Sequence, residues 1–326
     1  MMKAAVYKEL GASDVLRIID LGTPDPGPGE IRVKVKASGV NPSDWKARKL
    51  GRGGGMPFDM VIPHSDGAGV VDAVGGGVDQ SMIGRNVWVL NGQYKRAFGT
   101  AAEYIVLPQN LVFPMAENTN FRDAACFGIP FLTAYRALTI DGDIAGQTVL
   151  IQGGAGNVGH HLIQLAKYFG ATVLTSVSSD EKADYVRAAG ADQAYNYKQD
   201  DFVAELIEAT GGAGVDRIIE VDISTNAPLY DQILAPGGTA VIYGTGHAEA
   251  TVPSGAFIRR QATLKWFIVY ELNDAQRELG ATVLNAMLSE GALTTTIAQS
   301  FPLDEICAAH DIVEKAAHIG NVVIDL

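Results

Sequence analysis

Apolar and polar positions follow two rhythms along this chain. Up to about residue 125 the pattern is that of short strands. Positions 30–37 alternate apolar with charged residues, as a half-buried strand does, and 67–74, 86–90 and 102–107 read as further strands. The opening 1–10 is also strand-like, and Gly, Pro and Asn clusters such as Pro24-Asp-Pro-Gly-Pro-Gly29 punctuate the whole stretch. Beyond residue 125, apolar strands alternate with helical patterns. A strand beginning at Val149 is followed by helix 160–169, strand 171–177, helix 181–189, strand 193–197 and helix 202–210. Strand 217–221, helix 227–234 and strand 239–243 continue the series, with Pro236-Gly-Gly238 as a turn. Such alternation predicts a parallel sheet with helices on both faces. Near residue 265 the rhythm shifts again, to a long amphipathic helix 274–289, a shorter one 306–316 and a terminal strand 321–326. The three divisions are therefore 1–125, 126–265 and 266–326.

Chemistry enters at the first strand of the alternating region. The run Gly153-Gly-Ala-Gly-Asn-Val-Gly159 follows that strand and opens a helix, and Gly154, Gly156 and Gly159 have the spacing G-x-G-x-x-G. A βαβ unit with this turn is a dinucleotide site. The glycines permit a tight turn, close approach of backbone to a pyrophosphate, and tight helix–strand packing, while the helix N-terminus favours negative charge. An NAD site usually places an acid about twenty residues further on, against the ribose 2′-hydroxyl. Here that position falls at Ser178 and Ser179, and Lys182 lies a turn beyond. Hydroxyls and a cation suit a 2′-phosphate, so NADP(H) is the expected cofactor. Asp180 and Glu181 weigh against this, unless they serve as helix N-terminal charges; an ordinary N-cap with a solvated lysine is the alternative.

Composition removes several classes of function. With 326 residues, 47% of them hydrophobic, the chain can bury a large core and suggests about two domains. A formal charge of −12 speaks against nucleic-acid binding and against docking on anionic membranes. No apolar stretch is long enough for membrane insertion and no signal peptide heads the chain, so a cytoplasmic protein is expected. The two cysteines, Cys126 and Cys307, imply no disulfide framework.

Six blocks in order extend these readings to the whole chain: Gly39-Val-Asn-Pro-Ser-Asp44, Ser65-Asp-Gly-Ala-Gly-Val-Val71, Gly99-Thr-Ala-Ala-Glu-Tyr104, Gly128-Ile-Pro-Phe-Leu-Thr-Ala-Tyr-Arg-Ala-Leu138, the glycine turn and Gly320-Asn-Val-Val323. In these the chain resembles the medium-chain dehydrogenase/reductase superfamily, and within it the zinc-independent quinone oxidoreductase (ζ-crystallin-like) branch. The resemblance implies an α/β architecture of a GroES-like β-barrel catalytic domain, an inserted Rossmann domain and a C-terminal return to the barrel. It implies that the cofactor lies in the cleft between the two domains, and suggests a homodimer through Rossmann-sheet edges or a tetramer.

The resemblance also bears on metal. Zinc-dependent relatives carry a Cys in the segment matching 39–44 and a His-Glu pair before Gly-Ala-Gly, where this chain has Asn41 and Ser65-Asp66. His64 is one position out of register and reads as structural or substrate-facing, and His160-His161 as packing. No zinc is expected. The implied reaction is hydride delivery from NADPH to a small-molecule quinone, with enone or alkenal reduction as the alternative, and an NADPH-binding protein with little turnover as the alternative of another class.

Asn41 is then the leading candidate to steady the developing oxyanion, against a bland role as a turn-forming Asn-Pro. Thr133 is placed to contact nicotinamide ribose or substrate, against a role as a helix N-cap. Carried over by motif, Gly154, Gly156, Asn157, Val158 and Gly159 cradle the pyrophosphate, and Ser178, Lys182 and Tyr197 surround the 2′-phosphate. Gly244 and Thr245 follow a strand at the sheet's carboxyl edge, Phe267 and Val269 face the nicotinamide amide through backbone, and Asn321 closes that end. Trp45 stands where relatives often have a tyrosine. Trp45, Phe58 and Tyr94 could stack on a flat quinone, though core or pocket wall is the plainer role. The basic, glycine-rich run 46–56 could form a mobile lid, or simply be solvated.

Overall fold

The computed structural model describes residues 1–51, 53–199 and 201–326. They form two compact units, Met1–Ile129 with Ala281–Leu326, and Pro130–Gly280.

In the first unit, β1 (Met2–Val6) and β2 (Arg17–Leu21) make an antiparallel ribbon. The main sheet is built from β3 (Glu30–Val40), β4 (Asp66–Val74), β5 (Asn86–Val89), β6 (Tyr104–Pro108) and β7 (Val112–Pro114). The second unit then contributes β8 (Thr148–Ile151), β9 (Thr172–Val177), β10 (Gln193–Asn196), β11 (Val215–Glu220), β12 (Leu234–Ile242) and β13 (Thr263–Trp266). The chain returns to the first unit for β14 (Ile297–Pro302) and β15 (Asn321–Asp325). The strand order there is β14-β15-β3-β4-β5-β7, with β6 also on β3. β3 organises this sheet: Ile31, Val33, Val35 and Ala37 are buried on one face while Lys34 and Lys36 alternate with them. A core of Met2, Val6, Tyr7, Val61, Ile62, Ile306 and Val322 fills the unit.

The second unit is a six-stranded parallel sheet in the order β10-β9-β8-β11-β12-β13. β8 has β9 on one side and β11 on the other, so the strand order reverses at the carboxyl end of β8, where doubly wound sheets bind ligands. The glycine turn leaves β8 at that point. Among the described residues, no helix is long and apolar enough to cross a membrane.

Several elements depart from the sequence pattern. The predicted helix 227–234 is three short pieces, Ile223–Asn226, Ala227–Leu229 and Tyr230–Ile233, because Pro228 lacks the donor a continuous helix needs. Pro236-Gly-Gly238 is a turn in composition but lies inside β12, where the register against β11 jumps from Leu234 to Thr239. The second compact unit continues to Gly280, since β13 pairs with β12 and Gly280 packs against Leu132 and Tyr135; the break is thus not at 265.

The run 46–56 is the largest departure. Its first half is the C-terminal part of a helix, Pro42–Leu50, started by the N-cap Asn41 and by Pro at the first turn. Arg48 is fully buried and donates to Glu314 at 2.9 Å, and Lys49 pairs with the same carboxylate. Trp45 packs against the unit's core with the Lys46 and Lys49 ammonium groups 5.9 and 6.0 Å from its ring centroid. Trp45 and Arg48 thus belong to packed structure, whereas Lys46, Lys49 and Leu50 are exposed on the same helix. Arg52 lies outside the described residues.

Candidate functional site

In the second unit the site is made chiefly of backbone. Gly153 adopts a left-handed φ of 72°, which only glycine takes without strain, and its carbonyl accepts from Gly156 N–H at 3.0 Å to close the turn. At Gly154 a Cβ would stand 2.1 Å from Thr175 Oγ1, and at Gly159 one would stand 2.4 Å from Gly153 O. Both glycines are therefore demanded by the protein's own packing. Gly156 is different: a Cβ there would meet only Gly153 O, at 3.4 Å. Gly156 caps the helix Asn157–Tyr168, so the amides of Asn157 and Val158 stand ahead of the helical ladder.

Polar groups stand at the strand ends beside this turn. Ser176 Oγ accepts from Gly153 N–H at 3.0 Å and donates to Gln152. Tyr197 N–H donates to Val177 O at 3.0 Å, which brings Tyr197 beside Ser178. Ser179 caps the helix Asp180–Ala188 by accepting from Lys182 N–H at 3.3 Å, and Lys182 rides the first turn of that helix. Gly153, Ser176, Tyr197, Val221, Asp222 and Asn226 help line a cavity of about 500 Å³. Ser178 and Lys182 are outside its lining.

A second cavity, of about 560 Å³, is lined by Gly244, Thr245 and Phe267 together with Tyr243, Trp266 and Ile268. Gly244 has no room for a side chain, because a Cβ would stand 2.3 Å from Val221 O. Val269 is not in this lining: it is buried in the turn Val269–Glu271, and its carbonyl accepts from Leu272 N–H. Thr133 is buried in the helix Leu132–Thr139, whose N-cap is Phe131; it is not the cap itself. Glu220, unforeseen from sequence, is buried at the end of β11 and accepts from Asp222 N–H, Asn226 Nδ2 and Tyr230 OH at 2.6, 2.9 and 2.8 Å. Burial pushes its carboxyl above the usual range. Asp222 in turn accepts from Gly246 N–H at 2.7 Å, which ties the loops after β11 and β12 together.

In the first unit the candidates sit in a buried polar network. Asn41 is 4% exposed, its backbone N–H donates to Asp44 Oδ2 at 2.8 Å, and its Nδ2 donates to Asp66 Oδ2 at 2.7 Å. Asp66 is fully buried, and its Oδ1 accepts from Ile129 N–H at 2.8 Å. Burial raises the Asp66 carboxyl well above the carboxylate range, and the nearby Asp44 adds to this; the bonds from Asn41 and Ile129 oppose it. Val322 pairs with Val40 at the end of the β15–β3 ladder, so Asn321 and Asn41 flank the same end. Asn321 is held there by two bonds to Thr296 O.

His64 is buried, with Nδ1 at 2.8 Å from Ser38 Oγ and Nε2 at 2.9 Å from His310 Nε2. Burial lowers its pKa to about 3, and His310 is lowered for the same reason, so both rings are neutral. Ser38 passes the chain to Thr100, whose hydroxyl donates to Asp66 O at 2.6 Å. His160 stacks on Tyr185 and His161 meets Phe131 edge-on, both in packed positions. Among the described residues, no three His, Cys, Asp or Glu side chains are grouped to hold a metal ion. Cys126 and Cys307 are free thiols.

Residues 27–117 match the family model for the alcohol dehydrogenase GroES-like domain, and residues 157–286 the model for zinc-binding dehydrogenases. A quinone oxidoreductase of Pongo abelii is 28% identical, with 99% of this chain and 98% of that protein covered. A 2-haloacrylate reductase of a Burkholderia species is also 28% identical, over 99% of each. Among solved structures, an NAD-dependent alcohol dehydrogenase superposes with a TM-score of 0.92 at 29% identity, covering 99% of both chains. A mycobacterial protein solved in complex with NADPH superposes with a TM-score of 0.88 at 28% identity over the full length of both. With a GroES-like unit, a doubly wound parallel sheet and full-length relatives of this kind, the chain belongs to the medium-chain dehydrogenase/reductase superfamily of oxidoreductases, in its quinone-oxidoreductase, ζ-crystallin-like branch.

Proposed function

We propose that this protein reduces a quinone with NADPH as hydride donor and without zinc. The observation that carries the reading is the turn 153–159. Gly154 and Gly159 are required by the fold, whereas the space at Gly156 is left open by the protein and fits a pyrophosphate against the Asn157 and Val158 amides. The strand end beyond it has Ser178 and Tyr197 and no carboxylate, with Lys182 one turn on, which favours a 2′-phosphate. The mycobacterial neighbour solved with NADPH supports this choice, and the neighbour described as NAD-dependent is the competing precedent.

When bound, the nicotinamide supplies the hydride; the protein's own part is orientation, exclusion of water and accommodation of charge on the acceptor oxygen. Asn41 is the residue we assign to that oxygen, through the amide N–H not engaged by Asp66. Thr133 is assigned to substrate or ribose, Gly244, Thr245 and Phe267 to the wall of the nicotinamide end, and Asn321 to closing it. The zinc-free reading rests on Asn41, Ser65 and Asp66 standing where zinc-dependent relatives carry ligands, with Asn41 and Asp66 bonded to each other. We further propose a cytoplasmic homodimer. β13 is an edge strand carrying the exposed Trp266, with Ile268 just beyond it, and an apolar edge of this kind is suited to pairing with a second copy.

Relatives named 2-haloacrylate reductase and 2-methylene-furan-3-one reductase favour a second reading, reduction of an activated carbon–carbon double bond. NADPH oxidation with a quinone panel and an enone panel separates the two. The proposal expects turnover with quinones at least about tenfold higher in kcat/KM. A preference for enones moves the assignment to the second reading. Tight NADPH binding with no turnover on either panel leaves a cofactor-binding protein.

A further inference from the structure

We propose that Asp222 is a positioning residue whose carboxylate, reaching from the loop after β11, sets the loop after β12 and with it the wall at the nicotinamide end. The inference rests on the reading of Gly244 and Thr245 as part of that wall, and it concerns an acid to which that reading gives no role.

β8, β11 and β12 are neighbours in the parallel sheet, and the segments leaving their carboxyl ends lie close together. A Cβ on Gly153 would come within 3.4 Å of the Val221 side chain, and one on Gly244 within 2.3 Å of Val221 O. A Cβ on Gly246 would stand 2.8 Å from Asp222 Oδ2, so this glycine leaves its space to the carboxylate. Val221 and Asp222 are thus wedged between the glycine turn and the loop after β12.

The bonds of Asp222 all serve this placement. Its backbone is fixed by its own N–H, which donates to the buried Glu220 at 2.6 Å. Its Oδ1 accepts from Gly246 N–H at 2.7 Å and from the Ser224 hydroxyl, and its Oδ2 accepts from the Thr225 hydroxyl at 2.8 Å. Ser224 Oγ, having given its hydrogen to Asp222, accepts from His247 N–H at 3.2 Å. Two successive amides of the loop therefore end on one carboxylate, Gly246 directly and His247 through Ser224. The Thr245 hydroxyl donates to His247 O at 2.6 Å, so Thr245 is oriented by the part of the loop that Asp222 holds.

Asp222 also stands between two cavities. It lines the one of about 500 Å³ that includes Gly153, Ser176 and Tyr197, while Gly244 and Thr245 line the one of about 560 Å³. A ligand confined to the first cavity needs nothing from the loop after β12, whereas a dinucleotide that also reaches the second depends on where that loop is held.

The test compares two variants. Asp222→Ala removes the acceptor. Asp222→Asn keeps it: the amide oxygen takes Gly246 N–H and the Ser224 hydroxyl, and the amide nitrogen donates to Thr225 Oγ1, since a hydroxyl also accepts. Without cofactor, the Gly246 and His247 amides of Asp222→Ala should exchange with solvent at least about tenfold faster than in the wild type, and those of Asp222→Asn within about threefold. Ser224→Ala should release His247 and leave Gly246 protected. Asp222→Ala should weaken NADPH binding about tenfold, while Kd for adenosine 2′,5′-bisphosphate, the adenosine half alone, stays within about twofold. With a quinone acceptor, kcat should fall about tenfold in Asp222→Ala and return in Asp222→Asn, with both thermal midpoints within a few degrees of the wild type.

Unchanged exchange at Gly246 and His247 in Asp222→Ala overturns the proposal. So does equal weakening of both ligands, which would make Asp222 a direct contact or a part of the fold alone. Failure of Asp222→Asn to restore the loop overturns it as well, because charge and not the bonds would then be the cause. If the wild type binds neither ligand, the dinucleotide reading fails, and the exchange measurement still decides whether Asp222 holds the loop.

Discussion

The two compact units build their candidate sites from opposite materials. In the unit Pro130–Gly280 the site is a seven-residue stretch of backbone, 153–159, whose turn and cap are closed within the stretch and whose packing is completed by Thr175 and Ser176 of the adjacent strand β9. In the other unit it is a web of side chains, Ser38, Asn41, His64, Asp66, Thr100 and His310, in which the bonded partners His64 and His310 are 246 residues apart. A backbone device tolerates any surface around it but almost no substitution within it. A side-chain web tolerates little change in protonation, because each member is buried and bonded to another.

The largest effect expected breaks the backbone device. Gly154→Val places methyl groups where Thr175 already stands, so unfolding stability should fall by ~3 kcal/mol or more. Gly156→Ala is the contrasting variant. It meets only Gly153 O at 3.4 Å, so stability should change by less than about 1 kcal/mol, whereas NADPH affinity should drop at least about tenfold. Denaturant unfolding and fluorescence titration with NADPH measure the two. Equal loss of stability in both variants would mean that Gly156, too, serves only the fold.

Next comes acidification, which acts on the histidines. His64 in one unit and His161 in the other are each lowered by burial to about 3, and His310 is lowered with His64. A group held neutral in the folded state keeps its full contribution above the unfolded pKa of 6.5. That contribution is lost as pH falls from there toward the folded value, since only the unfolded chain gains the proton. At pH 5 the loss is about 2 kcal/mol for His64 and for His161, and the lowered His310 adds to it in the first unit. The unit with the His64–His310 pair should therefore loosen first. Hydrogen exchange at pH 5 and 7.5 should show amides of β3 and β4 losing more protection than those of β8 and β9. The reverse order would put the weak point in the other unit.

The same contrast explains what is legible in the sequence. The parallel sheet and the glycine turn follow from local periodicity and from spacing within one βαβ unit, whereas the strand order β10-β9-β8-β11-β12-β13 is read only from the fold. Even there, the residue with the left-handed φ is Gly153, whose only signal is the doubled glycine at 153–154. The helix Pro42–Leu50 is hidden because its Lys, Arg and flanking glycines look like a solvated loop; only burial of Arg48 against Glu314 makes it structure. Asn41 is legible, but the acid that holds it is not. No spacing between Asn41, Asp66 and Ile129 marks them as neighbours, and it takes the β3–β4 pairing of Gly39 with Asp66 to bring them together.

The smallest effect tests the one side-chain element that the backbone-built unit needs. Ser178 and Tyr197 are joined through the Val177 carbonyl, and Lys182 stands on the first helical turn after Ser179, with Asp180 and Glu181 ahead of it. If Lys182 answers the 2′-phosphate, its ammonium outweighs those two acids for NADPH and does nothing for NADH, which lacks the phosphate. Lys182→Ala should then weaken NADPH binding about 10- to 100-fold, with Kd for NADH changed less than about twofold. Lys182→Glu should widen the gap, and raised salt should narrow it, because an exposed charge pair is screened. An equal change for both nucleotides would remove Lys182 from the site and leave discrimination to the Ser178 and Tyr197 hydroxyls.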